Sequence, residues 1–253
     1  MKATFTMWST LHYFMMFSPF IIALILYILF RHKSDKTKQI VAIILSVLMV
    51  IILLMRSIYM IYTRRALNPE AIPFQVCHMA NFMMLFASLK KAKVIGAIAW
   101  CLNFPSALVS LIFADSLTNY QNILNIQGIA YIAGHILIVA GGLYMLLVRI
   151  IEIDKKALKQ MYIIVGIMFI LSVFINSWFN HIFAFTNTDA NYFYSFKPEG
   201  GTPLEMFYKL GKTYEVLGIT FNPIYLLLLA IFGLVIMYVF YIFAKLLSKK
   251  VYN

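Results

Sequence analysis

The sequence is organised around the stretch Ile72-Pro-Phe-Gln-Val-Cys-His-Met-Ala-Asn-Phe-Met-Met-Leu-Phe-Ala-Ser88. Its apolar residues predict a membrane-spanning helix, and Pro73 suits the first helical position because proline has no N–H to leave unpaired there. Cys77 and Asn81 lie four residues apart, so they share one face of this helix. Polar side chains inside a membrane helix indicate either a functional site or residues satisfied by packing, such as a small buried cysteine.

Long apolar segments dominate the chain. Of its 253 residues, 63% are hydrophobic and only 12% are charged, which excludes an ordinary soluble domain. A helix needs about 20 apolar residues to cross a bilayer. Seven segments meet this need, at 11–30, 40–62, 72–88, 94–113, 126–148, 161–185 and 220–247. We predict an all-α, polytopic membrane protein in which residues 1–253 form one seven-helix domain, with the polar and aromatic segment 186–219 as an outer cap.

The basic residues predict the orientation of these helices. Of the 21 Lys and Arg residues, 14 lie at the C-terminus or after spans one, three and five, six lie at the N-terminus or in the other loops, and Arg56 lies within span two. Cytoplasmic loops carry the excess of positive charge, so we expect the N-terminus outside and the C-terminus in the cytoplasm. The net charge of +12 is spread over short clusters that suit membrane phospholipids, not nucleic acid.

Polar residues on several predicted helices lie at a similar depth, in the outer half of the membrane. Cys77 and Asn81 are on the third helix, and Tyr131 and His135 are on the fifth. Independent packing residues would be scattered over both halves, whereas the cytoplasmic halves of these helices are almost purely apolar. The convergence therefore indicates a binding site. Its candidate substrate-binding residues are Arg56, His78, Asn81, Asn103, Tyr131, Asn176, Asn180 and His181.

The acidic residues limit the chemistry. All nine lie in loops or at the edges of spans, so proton relays and intramembrane aspartyl chemistry lack the embedded carboxylate that they need. A metal site built from Cys77, His78, His135 and His181 has suitable ligand types, but three helices would have to converge without an HExxH-type anchor. We therefore expect no metal and no other cofactor.

A thiol and an imidazole at the same depth remain. A cysteine becomes a strong nucleophile when a nearby base removes its proton. His135 is favoured as this base over His78, because adjacent residues point about 100° apart around a helix. An asparagine or a backbone carbonyl would have to orient the histidine. The alternative is that His135 only forms a structural hydrogen bond to another helix.

Three motifs connect the sequence to a known family. Ile72-Pro-Phe-Gln-Val-Cys-His-Met79, Tyr131-Ile-Ala-Gly-His135 and Asn191-Tyr-Phe-Tyr-Ser-Phe-Lys-Pro-Glu-Gly-Gly-Thr-Pro-Leu204 resemble the YwaF family of bacterial integral membrane proteins, which is related to eukaryotic transmembrane protein 164. The resemblance implies a seven-helix acyltransferase that acts on phospholipids. It also implies that Cys77 carries the acyl group as a thioester and that His135 is the base.

Other functions fit the same polar residues. In the acyltransferase, Arg56 could hold a lipid phosphate, and Asn81, Asn103 or Asn176 could donate to the oxyanion. A transport or substrate-binding subunit could instead use the cavity for a small molecule while Cys77 stays inert. A structural subunit of a larger membrane assembly is the third interpretation. An acyl thioester on Cys77 distinguishes the enzyme from the other two.

The charge distribution leads to the first prediction. A tag fused to the C-terminus should be accessible from the cytoplasmic side only, because the positive-inside rule places that end in the cytoplasm. Protease protection of the tag in right-side-out and inside-out membrane vesicles measures this. Accessibility from the outside alone would contradict the predicted orientation.

Overall fold

The computed structural model describes residues 3–120 and 122–252. Within them, seven helices are long and apolar enough to cross a membrane, which confirms the predicted fold class. The α-helical segments are α1 Thr10–Phe30, α2 Asp35–Arg64, α3 Val76–Lys90, α4 Lys93–Ile98, α5 Phe104–Ile112, α6 Ile126–Leu147, α7 Lys155–Ile182, α8 Leu204–Lys209 and α9 Pro223–Tyr252. Helices α4 and α5 belong to one membrane span, and the short helix α8 does not cross the membrane. Short 3₁₀ turns occupy Pro69–Ala71, Ala114–Asn119, Ala184–Thr186 and Tyr192–Tyr194.

Helix α6 lies at the centre of the bundle, where it contacts α1, α2, α3, α5 and α9. Two adjacent glycines allow these close approaches. A Cβ atom at Gly141 would lie 2.7 Å from the Met49 side chain, and one at Gly142 would lie 3.0 Å from the Phe104 ring. Small residues at helix contacts are typical of membrane bundles, since close packing stabilises helix association in lipid. The glycines thereby bring α6 against the helices that carry the other polar residues.

The fourth span is interrupted by a π-helical turn. Helices α4 and α5 are joined by this turn at Ala99–Asn103, and together they form the span Lys93–Ile112. Pro105 lies two residues after this turn, and because proline lacks an N–H the regular hydrogen-bond ladder cannot continue through it. The turn places Asn103 so that its Nδ2 donates to the Val76 carbonyl, at 2.8 Å, in the first turn of α3.

The predicted start of the third helix is wrong by three residues. Pro73 lies before the helix, and α3 begins at Val76. The residue before a proline avoids the helical region, and Ile72 accordingly has ψ 127°. Gln75 is also extended, with ψ 147°, so the backbone is not yet helical at this residue. The helix therefore starts within the polar region itself, with Cys77 in its first turn.

The segment between α7 and α9 contains the short helix α8 and a two-stranded antiparallel hairpin, β1 Tyr214–Val216 and β2 Ile219–Phe221. Its first part is tied to α7 by buried hydrogen bonds. The Asn176 side chain donates to the Tyr192 carbonyl at 3.0 Å and accepts from the Tyr192 N–H at 2.8 Å. The Tyr192 hydroxyl donates to the Pro69 carbonyl at 2.8 Å. This part of the segment therefore connects α7 to the turn before α3.

The Asn176 contacts lead to the second prediction. Asn176→Ala should weaken the attachment of the segment by about 1–3 kcal/mol, because two buried backbone groups of Tyr192 lose their partner. Hydrogen–deuterium exchange of the peptide containing Tyr192 should become correspondingly faster. Gln160→Ala removes an exposed amide from the same helix and is the control. Equal exchange in both variants would show that Asn176 does not hold the segment.

Candidate functional site

One cavity of about 950 Å³ brings together most of the predicted site residues. It lies between the helices, and residues of the segment 186–219 also line it. Six of the predicted residues line it, and they come from α2, α3 and α6: Arg56, Cys77, His78, Asn81, Tyr131 and His135. The polar residues of three separate helices therefore face a common space.

Cys77 is half-buried in the first turn of α3, where it lines the cavity. The N-cap residue Gln75 makes no side-chain hydrogen bond to this turn. The first N–H groups of a helix have no partner within the helix, and its N-terminus attracts negative charge. The late start of α3 thus places the Cys77 thiol beside the first backbone N–H groups of the helix, which favour negative charge.

His135 is buried on α6, and its orientation is set by the helix itself. Its Nδ1 lies 2.7 Å from the Tyr131 carbonyl oxygen, which can only accept. Nδ1 therefore carries the proton, and Nε2 of the neutral ring has a free lone pair. The Tyr131 ring packs against the imidazole, with the ring centroids 4.3 Å apart. The Tyr131 hydroxyl donates to the Ser110 carbonyl at 2.8 Å. Of the orienting groups considered from sequence, the backbone carbonyl is the one that contacts the ring.

Two buried polar atoms at the cavity have no protein partner. Gln75 Oε1 and His78 Nδ1 make no hydrogen bond within residues 3–120 and 122–252, and both side chains line the cavity. Buried polar atoms are nearly always satisfied by protein, water or a ligand. These two atoms are therefore available to a polar molecule that enters the cavity.

Charged groups lie around the polar end of the cavity. Arg56 is half-buried there and donates through Nη1 to the Glu70 carbonyl at 3.0 Å. Glu199 from the segment 186–219 lines the same space. Burial raises the pKa of the Glu199 carboxyl, and Glu70 raises it further, while Lys197 lowers it. Glu199 could not be recognised as a site residue from sequence, because it lies in a loop about 120 residues from Cys77 and no local pattern connects the two.

Tyr194 is a further residue that the sequence did not reveal as part of the site. Phe193 and Tyr194 both line the cavity and have φ 57° and φ 55°, a left-handed conformation that costs roughly 1–2 kcal/mol per non-glycine residue. The Tyr225 hydroxyl donates to the Tyr194 carbonyl at 2.7 Å and helps to hold it. Burial raises the pKa of the Tyr194 phenol well above its usual value, and Cys77 and Glu199 raise it further. Tyr194 is therefore a neutral phenol among the residues that line the cavity with Cys77, and strained backbone of this kind clusters at functional sites.

Four predicted substrate-binding residues do not line the cavity: Asn103, Asn176, Asn180 and His181. Asn103 supports the first turn of α3 instead. Asn176 and Asn180 face the segment after α7, where Asn180 Nδ2 donates to the Ala190 carbonyl at 3.2 Å. His181 is exposed in the last turn of α7. The polar stripe of α7 thus faces the neighbouring segment, because the irregular backbone there needs hydrogen-bond partners.

The asparagines expected to donate to an oxyanion are already engaged. Asn81 Nδ2 donates to the carbonyls of Cys77 and His78, at 3.2 and 2.9 Å. Asn176 Nδ2 donates to the Tyr192 carbonyl, and Asn103 Nδ2 to the Val76 carbonyl. Each of these amides already donates to a protein carbonyl, so an oxyanion in the cavity needs other donors.

The ligand set considered for a metal is not assembled. Among residues 3–120 and 122–252, no group of three or more His, Cys, Asp or Glu side chains lies close enough to hold a metal ion. His181 is exposed, whereas Cys77, His78 and His135 line the cavity.

The two cysteines lead to the third prediction. A small membrane-permeant maleimide should modify Cys77 before Cys101, because Cys77 lines the cavity while Cys101 is fully buried in the π-helical turn. Peptide mass spectrometry over a time course of alkylation measures the order. Modification of Cys101 first would mean that Cys77 is not accessible through the cavity.

Comparison with known proteins agrees with the motifs. A model of the TMEM164 family matches residues 7–241, from the start of α1 into α9. The chain has no significant match among curated proteins, and none among solved structures. The relation to transmembrane protein 164 that the three motifs indicate is confirmed. Because the match includes the Cys77 helix, His135 and nearly the whole bundle, this chain belongs to the TMEM164 family of membrane proteins.

Proposed function

We propose that this protein is an acyltransferase of the cell membrane, which moves an acyl chain between lipids through a thioester on Cys77. The observation that carries the proposal is that Cys77 and His135, from different helices, line one cavity while the Tyr131 carbonyl leaves His135 Nε2 free to accept a proton. A base must have a free lone pair before it can activate a thiol.

The first half of the reaction transfers the acyl group to the enzyme. His135 Nε2 accepts the thiol proton of Cys77, and the sulfur attacks the ester carbonyl of a phospholipid. The C–S bond forms, the ester C–O bond breaks, and the departing lysophospholipid oxygen takes the proton from His135. In the second half, His135 accepts the hydroxyl proton of the acceptor lipid, whose oxygen attacks the thioester. The Cys77 thiolate leaves and recovers its proton from His135.

The oxyanion and the headgroup would be stabilised by groups at the polar end of the cavity. The first-turn N–H groups of α3 and the Tyr194 hydroxyl are the donors that we propose for the oxyanion. Arg56 uses one nitrogen on the Glu70 carbonyl, so its remaining N–H groups can bind a phosphate. Membrane phospholipids are therefore the proposed partners, with the segment 186–219 as a cap over the polar end.

A second candidate function is a transport or substrate-binding subunit without covalent chemistry. The unpartnered Gln75 Oε1 and His78 Nδ1 favour it, because they offer hydrogen-bonding groups to any polar molecule in the cavity. Cys77 would then be an inert part of the wall.

The fourth prediction tests the chemistry. Cys77→Ala should abolish acyl transfer from defined phospholipids, and His135→Ala should lower it by roughly 10²–10⁴-fold, since the nucleophile needs its base. Intact mass spectrometry of the purified protein should detect the acyl adduct only when Cys77 is present.

Cys101→Ala is the matched control for Cys77→Ala. It removes the same thiol from a fully buried position that does not line the cavity, so it should leave acyl transfer nearly intact. If Cys77→Ala and His135→Ala retain the activity of Cys101→Ala, the thioester mechanism is refuted. Absence of an adduct together with retained ligand binding would favour the binding subunit.

A further inference from the structure

The cavity changes in character along its length. Its polar lining comes from the ends of α2, α3 and α6 and from the segment 186–219. Its other part lies between α7 and α9, where the lining is mostly apolar and includes Val165, Phe169, Leu229, Ile236 and Met237. A space with one polar and one apolar end matches an amphipathic molecule whose charged group lies at Arg56 and whose hydrocarbon part extends between α7 and α9.

Two glycines keep the apolar part open. Gly166 on α7 and Gly233 on α9 both line the cavity, and a Cβ atom added to either would meet no atom within 4 Å. Gly141 and Gly142 differ, since a Cβ there would contact Met49 or Phe104 closely. Close packing therefore does not explain the glycines at 166 and 233. They leave unfilled space inside a helical bundle, although a helical glycine is less favourable than alanine by about 1 kcal/mol.

The apolar part also reaches the surface that faces the membrane. Phe232 and Leu234 line the cavity, yet they are 39% and 47% exposed on α9. At this level the Tyr162 hydroxyl donates to the Leu234 carbonyl at 3.4 Å, which connects α7 to α9 beside the opening. For a helix that crosses a bilayer, this exposed surface is in contact with lipid hydrocarbon. An acyl chain can thus pass from the bilayer into the cavity without crossing water.

We infer that the apolar part of the cavity is a channel for one acyl chain of a membrane phospholipid, and that Gly166 and Gly233 set the longest chain it accepts. The inference deepens the proposed function, on which it rests for the position of the ester group near Cys77. Binding of the chain requires no reaction, so it can be measured in a protein that cannot form a thioester.

The experiment uses the full-length Cys77→Ala protein in vesicles that contain a phospholipid with a diazirine at the end of one long acyl chain. After illumination, tandem mass spectrometry identifies the labelled residues. We expect label on Val165 and Met237, which line the channel, in addition to Ile167 and Val235, which face lipid at 54% and 56% exposure. Label confined to the two lipid-facing residues would overturn the inference.

Substitution of the glycines tests the length limit. In the same Cys77→Ala background, Gly233→Phe should reduce labelling of Val165 by a long-chain probe roughly tenfold or more, because the ring occupies the channel. Gly166→Leu, on the opposite wall of the channel, should reduce labelling of Met237 by the long-chain probe to a similar extent. A short-chain probe should enter both variants as it enters the protein with both glycines. Equal loss for the short and long probes would show that the glycines do not select chain length.

Val235→Phe is the matched control, since it adds the same ring to the lipid-facing side of α9. It should leave labelling of Val165 and Met237 unchanged, and a loss equal to that of Gly233→Phe would overturn the inference. Thermal unfolding measures whether each variant is folded. If both glycine variants are unfolded, the labelling of the protein that keeps both glycines tests the channel. A free fatty acid with the same diazirine distinguishes the source: channel labelling by the fatty acid but not by the phospholipid would refute the phospholipid.

The outcomes separate this inference from the proposed function. Channel labelling without any acyl adduct on unsubstituted protein would leave the channel standing and refute the acyltransferase. An acyl adduct together with lipid-facing label only would refute the channel alone.

Discussion

A backbone N–H or carbonyl in the membrane interior must find its partner within the protein, and the structure depends on this constraint. Within a regular helix the backbone groups bond to each other. Where a helix is interrupted, asparagine side chains supply hydrogen-bond partners for the backbone. Asn103 binds the Val76 carbonyl at the start of α3, and Asn176 binds both backbone groups of Tyr192. These backbone groups are therefore paired within the protein, and the first turn of α3 begins beside the cavity.

The histidines show how the same constraint separates structural from available side chains. His12 on α1 is fully buried; its Nδ1 accepts from the Trp8 N–H at 3.0 Å and its Nε2 donates to the Leu111 carbonyl at 3.0 Å. Both nitrogens are used, so this imidazole has no capacity left for chemistry. His135 instead forms a hydrogen bond through Nδ1 only, to a carbonyl of its own helix, and it lines the cavity. The chemical difference between two buried histidines thus lies in which hydrogen bonds the bundle completes.

Hydrophobicity and the positions of polar residues were sufficient to predict the class of the protein and part of its candidate site. Runs of about 20 apolar residues are a direct consequence of bilayer thickness, so the seven helices could be predicted from hydrophobicity alone. The cost of polar groups in lipid likewise limited the candidates to a few residues. Cys77 and His135 were found in this way, because a thiol and an imidazole are unusual in apolar helices and the polar positions lay at one depth.

The contacts that those residues make depend on how the helices pack. Depth along a helix can be read from spacing, but rotation about its axis depends on packing partners, which is why the stripe of Asn176 and Asn180 could not be assigned to the neighbouring segment in advance. The late start of α3 follows from the extended backbone of Ile72 and Gln75. Tyr194 and Glu199 lie in a loop that is distant from Cys77 in sequence but lines the cavity. Local periodicity cannot predict such long-range contacts. The open space at Gly166 and Gly233 was equally invisible, because a glycine in a sequence does not show whether a neighbour or a void lies beside it.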